Sequence, residues 1–283
     1  MTVHFILKLG ACLNRIWVYH NLFVKLLITK KTREDSLAVP INFVEKSPIP
    51  SGATMLCGFP DVGLVGVLAS SHVISELNLV EMAYVDSDLL PPIVVLHEGL
   101  PHAPIRIFGN DDLLVTIAET AIPAGGVQRL MRSFVEWGKS KNVKMMIPIG
   151  GIPVQNRQDI EEPKVFGTAS SLDMIKLLEQ KGVNVLKEGY MVGPQALIMR
   201  YCAERSIPAI ALLAQSFYNY PDPEASAATL NQLAKVTGIK VDVSKLFEKG
   251  EEIRLRAKDV MKRTQRELTK MKKGQEYDLP LYV

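Results

Sequence analysis

The sequence predicts an α/β fold, a three-layer sandwich in which helices cover both faces of a mixed, mostly parallel sheet, followed by a long C-terminal helix. Short, almost continuously apolar runs alternate along the chain with stretches of helical periodicity, as in domains whose parallel strands are buried on both faces. The turn sequence Gly109-Asn110-Asp111-Asp112 lies between two apolar runs and is typical of an antiparallel hairpin. The sheet is therefore predicted to be mixed.

The first half of the domain is predicted to be rich in strands. Period-two and continuous apolar patterns separate these strands from one helix that begins in a glycine-rich segment. The predicted elements are strands over 54–59, 80–85, 93–97, 105–108 and 113–118, and a helix over 62–77.

The second half alternates more regularly. A helix opens at Pro123 and carries five apolar residues on one face, Val127, Leu130, Met131, Phe134 and Val135. The next strand, over 143–149, is predicted to close at Gly150-Gly151. The remaining elements are helices over 170–181, 194–205 and 222–236, and strands over 183–186 and 208–214. In the last of these helices Asp222 is the predicted N-cap and Pro223 takes the first helical position.

A long basic helix is predicted over 245–273. Its narrow apolar stripe consists of Ile253, Ala257, Val260, Thr264, Leu268 and Met271. Gly274 lies where a helix C′ glycine belongs, so the helix should end there after roughly 40 Å. We expect it to hold the following tail away from the body of the domain. Its dense positive charge is most often a solvated face, and RNA, anionic lipid or an acidic protein surface are the alternative partners.

The last three residues, Leu281-Tyr282-Val283, are the candidate functional site. A hydrophobic residue, a penultimate tyrosine and a free terminal carboxylate can be bound together in one groove. Pro280 favours an extended conformation around itself, so the tail should project.

Composition predicts a soluble, cytoplasmic protein. Hydrophobic residues make up 47% of the chain and the formal net charge is only +3, which suits a globular domain with a full core. Cys12, Cys57 and Cys202 are odd in number and widely spaced, so we expect no disulfide framework and no zinc site. Four regions follow: an N-terminal extension over 1–34, an α/β core over 35–241, a C-terminal helical arm over 242–274, and a flexible docking tail over 275–283.

Residues 1–34 are basic and apolar but do not predict a membrane span. Lys8, Arg15 and Lys25 interrupt the apolar stretches, so no uncharged run reaches the ~20 residues that cross a bilayer. Two interpretations remain open: an amphipathic segment that packs on a partner or a membrane, and an extension absent from the mature protein because the start codon is placed too early. We favour the second as a hypothesis, and an intact mass that included residue 1 would contradict it.

Four short segments, together with the order of the elements, carry a resemblance to a known family. They are Gly58-Phe59-Pro60-Asp61-Val62-Gly63-Leu64-Val65-Gly66, Pro148-Ile149-Gly150-Gly151, Gly193-Pro194 and Asp222-Pro223-Glu224-Ala225-Ser226-Ala227. Through them residues 40–259 resemble the proteasome assembly chaperone 2 family. The resemblance implies a phosphorylase/hydrolase-like sandwich, a homo-oligomer (a tetramer), and independence from ATP or any other cofactor.

The resemblance also implies a partner. The archaeal members that look most like this chain associate with the proteasome core particle, and some end in a hydrophobic-tyrosine-any tripeptide. In proteasome activators this tripeptide inserts between neighbouring α-ring subunits and favours gate opening. Carried over to this chain, that role falls on Leu281, Tyr282 and Val283. One archaeal branch has a similar ending and a different partner, so a non-catalytic scaffold of the same family remains an alternative.

A phosphorylase-like or nucleotide-binding enzyme is the rival class. The glycines from Gly58 to Gly66 lie where phosphate sites are built, but this segment contains neither Gly-x-Gly-x-x-Gly nor Gly-Lys-Ser/Thr, which favours close packing over ligand binding. Gly150-Gly151 could line a ligand pocket at the end of its strand. His72, His97 and His102 have neither a nucleophile elbow nor metal spacing, and Glu161-Glu162 is expected on the surface.

The sequence therefore predicts a protein that is not an enzyme, with no catalytic residue, metal or cofactor. Its partners should be the proteasome α-ring and further copies of itself. No aromatic residue interrupts the basic run from Ile253 to Lys273 to stack on bases, so nucleic acid is discounted, and no membrane partner is expected.

Overall fold

The computed structural model describes residues 39–271. The strands form one nine-stranded sheet and a separate two-stranded hairpin. They are β1 Asn42–Glu45, β2 Thr54–Gly58, β3 Val80–Asp86, β4 Val95–His97, β5 Leu100–His102, β6 Ile105–Gly109, β7 Leu113–Ala118, β8 Met145–Pro153, β9 Val165–Ala169, β10 Asn184–Val185 and β11 Ile210–Ser216.

Helices connect these strands, and two short 3-10 turns, Val62–Leu64 and Arg157–Asp159, lie in the loops. The helices are α1 Val65–Glu76, α2 Val127–Ser140, α3 Leu172–Gln180, α4 Pro194–Glu204, α5 Pro223–Thr237, α6 Ser244–Glu248 and α7 Gly250–Lys270.

The large sheet has the order β1-β3-β6-β7-β2-β8-β11-β9-β10. Its central strands β7, β2, β8 and β11 run parallel, whereas β1, β3 and β6 are joined to them through antiparallel pairs, and β9 lies antiparallel to β11. The hairpin predicted from Gly109-Asn110-Asp111-Asp112 is the β6–β7 pair. The predicted mixed α/β sandwich with a long C-terminal helix is confirmed.

Alternate residues of each central strand supply two separate cores. In β2, Met55 and Cys57 pack with α2 and α4, while Leu56 packs with α1, α3 and α5 on the other face. Successive strand side chains point to opposite faces, so a nearly continuous apolar strand serves both helical layers at once.

Several boundaries differ from the prediction. Strand β8 does not close before Gly150-Gly151 but runs through both glycines to Pro153, because each glycine pairs with β11 in the ladder. The strand predicted over 93–97 shortens and pairs only with β5, outside the main sheet. Strands β1, β5 and β9 were not predicted.

The basic helix is also divided differently. Instead of one helix from residue 245, a short α6 ends at Glu248 and α7 starts at Gly250. The backbone of Lys249, at φ −107° and ψ 18°, breaks the helical path between them. The end predicted at Gly274 lies outside the described residues. Between residues 39 and 271 no helix is long and apolar enough to cross a membrane.

Candidate interaction site

The predicted docking tripeptide, Leu281, Tyr282 and Val283, lies outside residues 39–271, as does Pro280. The nearest described element is α7, whose last turn leads to Met271. The described part of the candidate site consists of α7, which precedes the tail, and the surface on which α7 packs.

The first turns of α7 are tied to α5 by charge. Arg254 donates two hydrogen bonds to Glu224, from Nη2 to the two carboxylate oxygens at 2.7 and 2.8 Å. Glu251 and Glu252 stand in the first turn, where negative charge is favourable against the positive end of the helix dipole. Arg254 also contacts Glu251, so the start of the helix is held by a small ion-pair network.

The middle of α7 is fixed by apolar packing. Met261 is 2% exposed and joins a buried cluster with Leu64 from the 3-10 turn, Val67 and Leu68 from α1, and Ile117 from β7. Burial of a methionine side chain of this kind is worth about 1.5–3 kcal/mol. The cluster thus attaches the helix firmly to the domain.

Leu64 reaches this cluster through an unusual turn. Its φ of 51° and that of Gly63, 63°, both lie in the left-handed region. For a residue other than glycine this conformation costs roughly 1–2 kcal/mol, and here it aims a fully buried leucine at α7. The glycine-rich segment after β2 therefore shapes the surface on which α7 lies.

The last turn of α7 is fixed as well. Glu267 accepts a hydrogen bond from the backbone N–H of Ala124 at 2.9 Å, and Lys270 donates to the same carboxylate at 2.6 Å. Burial raises the pKa of Glu267, but these two hydrogen bonds outweigh it and hold the pKa below its usual value. Leu268, 1% exposed, lies beside them.

Met271 packs against the core beneath α2 and α4. It borders a cleft of about 660 Å³, lined by the start of α2, by α7 and by residues before and in α4. Over its described length α7 lies along the domain; the tail that it was expected to hold away from the body lies outside the described residues. The apolar stripe predicted from the sequence is the side that packs there.

The carboxyl edge of the parallel strands, where α/β proteins usually bind ligands, is filled by an ion pair. Arg157 donates to both carboxylate oxygens of Asp222, from Nε at 2.8 Å and from Nη2 at 3.0 Å. Ser216 Oγ and the backbone N–H groups of Phe217 and Ala225 donate to the same carboxylate. With five donors around it, Asp222 is engaged in structure, and its predicted role as an N-cap is confirmed.

The glycines of this edge allow backbones to approach closely. A Cβ added to Gly66 would lie 2.5 Å from the carbonyl oxygen of Ile149, and one added to Gly151 would lie 2.5 Å from that of Val62. A Cβ at Gly58 would meet Ser70 and the carbonyl oxygen of Gly66. The close packing expected of the first glycine-rich segment is confirmed. Gly151 packs against backbone in the same way, whereas a Cβ added to Gly150 would lie 2.6 Å from Oδ2 of Asp61.

The titratable groups considered for catalysis are engaged elsewhere. The ring of His72 lies 2.6 Å from the carbonyl oxygen of Asp242. His97 contacts Arg106 and Glu119, and His102 faces Glu81, in an ion-pair cluster beside the β4–β5 hairpin.

The two described cysteines are poor nucleophiles. Burial raises the pKa of the Cys57 thiol well above its ordinary value and that of Cys202 to about 12, so both are protonated at neutral pH. Glu161 and Glu162 are exposed, as predicted. Within residues 39–271 no cluster of three or more His, Cys, Asp or Glu side chains could hold a metal ion.

Sequence reasoning did not find Arg157, the surface on which α7 packs, or the His97–Arg106–Glu119 cluster. Arg157 lies in a polar loop and its partner is 65 residues further along the chain, so no local pattern indicates the pair. The stripe of α7 did signal packing, since six apolar or small residues at helical spacing need a surface to cover them.

The described residues form an α/β protein with a nine-stranded mixed sheet. At the position where such proteins usually bind a ligand, this protein has close packing and an ion pair. The model of the PAC2 family matches residues 55–261, and the chain belongs to that family. The resemblance seen in the sequence is thereby confirmed.

The chain is also similar to individual proteins and solved structures. The chain is 28% identical over 244 residues to the uncharacterized protein MJ0106 of Methanocaldococcus jannaschii, covering 86% of this chain and 98% of that protein. It is similar to Pyrococcus furiosus PbaA, described as an archaeal homolog of proteasome-assembly chaperone, with a TM-score of 0.75 and 27% identity over 80% of this chain and 99% of PbaA. Pyrococcus furiosus PbaB, described as an archaeal proteasome activator, gives a TM-score of 0.66 over 78% and 98%; at 23% identity that likeness concerns the fold.

Proposed function

We propose that this protein is an ATP-independent proteasome-binding factor, an assembly chaperone homologue or a gate-opening activator, that docks Leu281-Tyr282-Val283 into the α-ring of the core particle. The observation that carries the proposal is membership in the PAC2 family together with a match to almost the whole of PbaA. We propose that it acts in the cytoplasm, without catalysis and without a cofactor.

The chemistry of the tail supports the docking step. A terminal carboxylate that meets a lysine in a confined groove gains a charge-assisted hydrogen bond, and the tyrosine adds a large apolar face with one polar contact. Such a short segment binds weakly alone, because ordering its chain opposes binding.

The packing of α7 on the domain supports the proposal that this helix presents the tail from a fixed position. The packing of Met261 and the hydrogen bond from Ala124 to Glu267 hold the helix at a defined position on each protomer. We propose a homo-oligomer, a tetramer, in which several such helices present their tails to several α-ring pockets at once. Multiple attachment can then raise the apparent affinity by about 10²-fold or more.

The deciding experiment mixes the purified protein with purified archaeal proteasome core particle and measures both co-elution and hydrolysis of a fluorogenic peptide. The full chain is compared with a chain lacking residues 281–283, with Tyr282→Ala, and with a chain extended by two glycines after Val283. The extension keeps every side chain but moves the carboxylate, so it isolates the contribution of the free terminus.

Each outcome assigns a different role. Stimulation that is lost in all three variants supports a gate-opening activator. Co-elution without stimulation, again dependent on the tail, supports an assembly chaperone homologue. If neither the full chain nor its variants bind, docking is contradicted and the scaffold with another partner takes its place.

A further inference from the structure

Helix α7 carries four exposed cations that the fold does not neutralise. Lys258, Lys262, Arg263 and Arg266 form what we call the cation face. Among residues 39–271, none of these four has a carboxylate oxygen within 4 Å. The other basic residues of the helix are paired: Arg254 with Glu224, Arg256 with Glu252 and Lys270 with Glu267.

The arrangement of the cation face is unfavourable for the isolated helix. Lys258, Lys262 and Arg266 follow one another at intervals of four residues, so they stack along one side over roughly 12 Å. Like charges at this spacing destabilise a helix by about 0.2–0.5 kcal/mol per pair. An anionic partner would relieve that repulsion, and the face is therefore better suited to binding than to folding.

The packing of α7 indicates which kind of anionic partner fits. The apolar stripe that would have to enter a bilayer is already used against the domain, with Met261 and Leu268 almost fully buried. Leu255 is the one large apolar side chain of this helix that is exposed. The helix carries no aromatic residue on which unpaired bases could stack. A protein surface rich in Asp and Glu offers dispersed negative charge and needs neither an apolar stripe nor an aromatic residue. It is therefore the anionic partner that fits this face.

The position of the face relates it to the tail. It lies on the last described helix, a few residues before the segment that ends in Leu281-Tyr282-Val283. We propose that the cation face docks on an acidic protein surface around the α-ring pocket that receives the tail, and that it accelerates the encounter. This inference rests on the proposed function. The tail then determines how long the complex lasts, and the cation face determines how fast it forms.

The test measures association and dissociation rates with immobilised archaeal core particle between about 50 and 300 mM salt, a range over which the Debye length falls from above about 10 Å to below about 8 Å. The variant Lys258→Gln, Lys262→Gln, Arg263→Gln, Arg266→Gln is compared with a matched control, Lys144→Gln, Lys181→Gln, Lys187→Gln, Lys240→Gln. Both sets are exposed, and both change the formal net charge from +3 to 3 − 4 = −1. The double variant Lys262→Gln, Arg263→Gln should give an intermediate effect.

We expect the cation-face variant to associate about tenfold more slowly at low salt, with a flatter salt dependence and a dissociation rate within about twofold of the full chain. The control should retain the original association rate. Tyr282→Ala should instead accelerate dissociation. Equal association rates for the cation-face variant and the full chain would overturn the inference.

A second arm separates this inference from the proposed function. If the full chain does not bind core particle at all, the proposed function fails, and binding to fluorescent polyglutamate decides the inference on its own. Polyglutamate binding that is weakened about tenfold in the cation-face variant alone retains an acidic protein as the partner. Equal binding by both forms, or tighter cation-face-dependent binding to a single-stranded RNA or to phosphatidylserine vesicles at matched salt, overturns it.

Discussion

Arg157 and Asp222 form a buried two-point ion pair at the carboxyl edge of the sheet, with N–O distances of 2.8 and 3.0 Å. The guanidinium also lies 5.0 Å from the centre of the Phe217 ring, which covers it. The pair joins the loop after β8 to the start of α5 in the place where many α/β proteins hold a ligand.

Removing one partner of this pair should strongly destabilise the protein. Arg157→Met leaves the buried Asp222 carboxylate without its cation, and we expect a loss of about 3–5 kcal/mol in the free energy of unfolding, measured by urea denaturation. Lys176→Met removes the exposed pair with Asp173 and serves as the control, with an expected change below about 0.5 kcal/mol. Similar losses in both variants would show that the buried pair is not specially important.

The packing of α7 should be measurable with two leucines of the same helix. Leu268 is 1% exposed and Leu255 is 72% exposed. Leu268→Ala should cost about 2–4 kcal/mol in unfolding free energy and speed hydrogen exchange in α7, while Leu255→Ala should stay within about 0.5 kcal/mol. Equal, small effects would mean that α7 is not held on the domain.

The glycine-rich segment should tolerate no side chain at Gly66. Its Cβ would lie 2.5 Å from a backbone carbonyl oxygen, so Gly66→Ala forces α1 away from β8 and should cost about 1–3 kcal/mol or more. At Gly125 a Cβ meets nothing within 4 Å, and Gly125→Ala should be neutral or slightly stabilising. Thermal unfolding of both variants side by side makes the comparison, and an unchanged melting temperature for Gly66→Ala would contradict the packing described.

The attachment of the last turn of α7 should weaken in acid. The folded-state pKa of Glu267 is lowered, so this carboxylate contributes stability above its unfolded pKa and loses it as the pH falls through the folded value. Glu267→Gln should therefore be less stable than the original protein by about 1 kcal/mol at neutral pH, and the difference should close as the pH falls below the ordinary pKa of a glutamate. Urea denaturation across this range measures it. The exposed Glu248→Gln is the control, and a difference for Glu267→Gln that does not vary with pH would refute the assignment.

Long elements with strong periodicity could be predicted from the sequence. Helix α2 has five apolar residues on one face, and all five are buried in the core beneath it. Strand β2 could be predicted because its apolar run is short and ends at a glycine. In both cases the local pattern and the tertiary environment favour the same structure.

Elements that depend on distant partners could not be predicted. Strand β9, Val165–Ala169, contains glycine and alanine and owes its conformation to the neighbouring β11 and β10. The β4–β5 hairpin turns at Glu98 and Gly99, which both have positive φ, although Glu-Gly is a weaker hairpin signal than Asn-Gly. The break before α7 has the same character, because Gly250 is buried at a junction that only the folded domain defines.

Within residues 39–271 the two edge strands of the nine-stranded sheet are short. One is the four-residue β1 and the other the two-residue β10. A long exposed edge would offer a row of free backbone groups to a strand from another chain, and short edges give such a template little length. Growth of this sheet into fibrils is thereby discouraged. Any assembly of this protein should accordingly be held by side-chain surfaces, and should dissociate without unravelling a shared sheet.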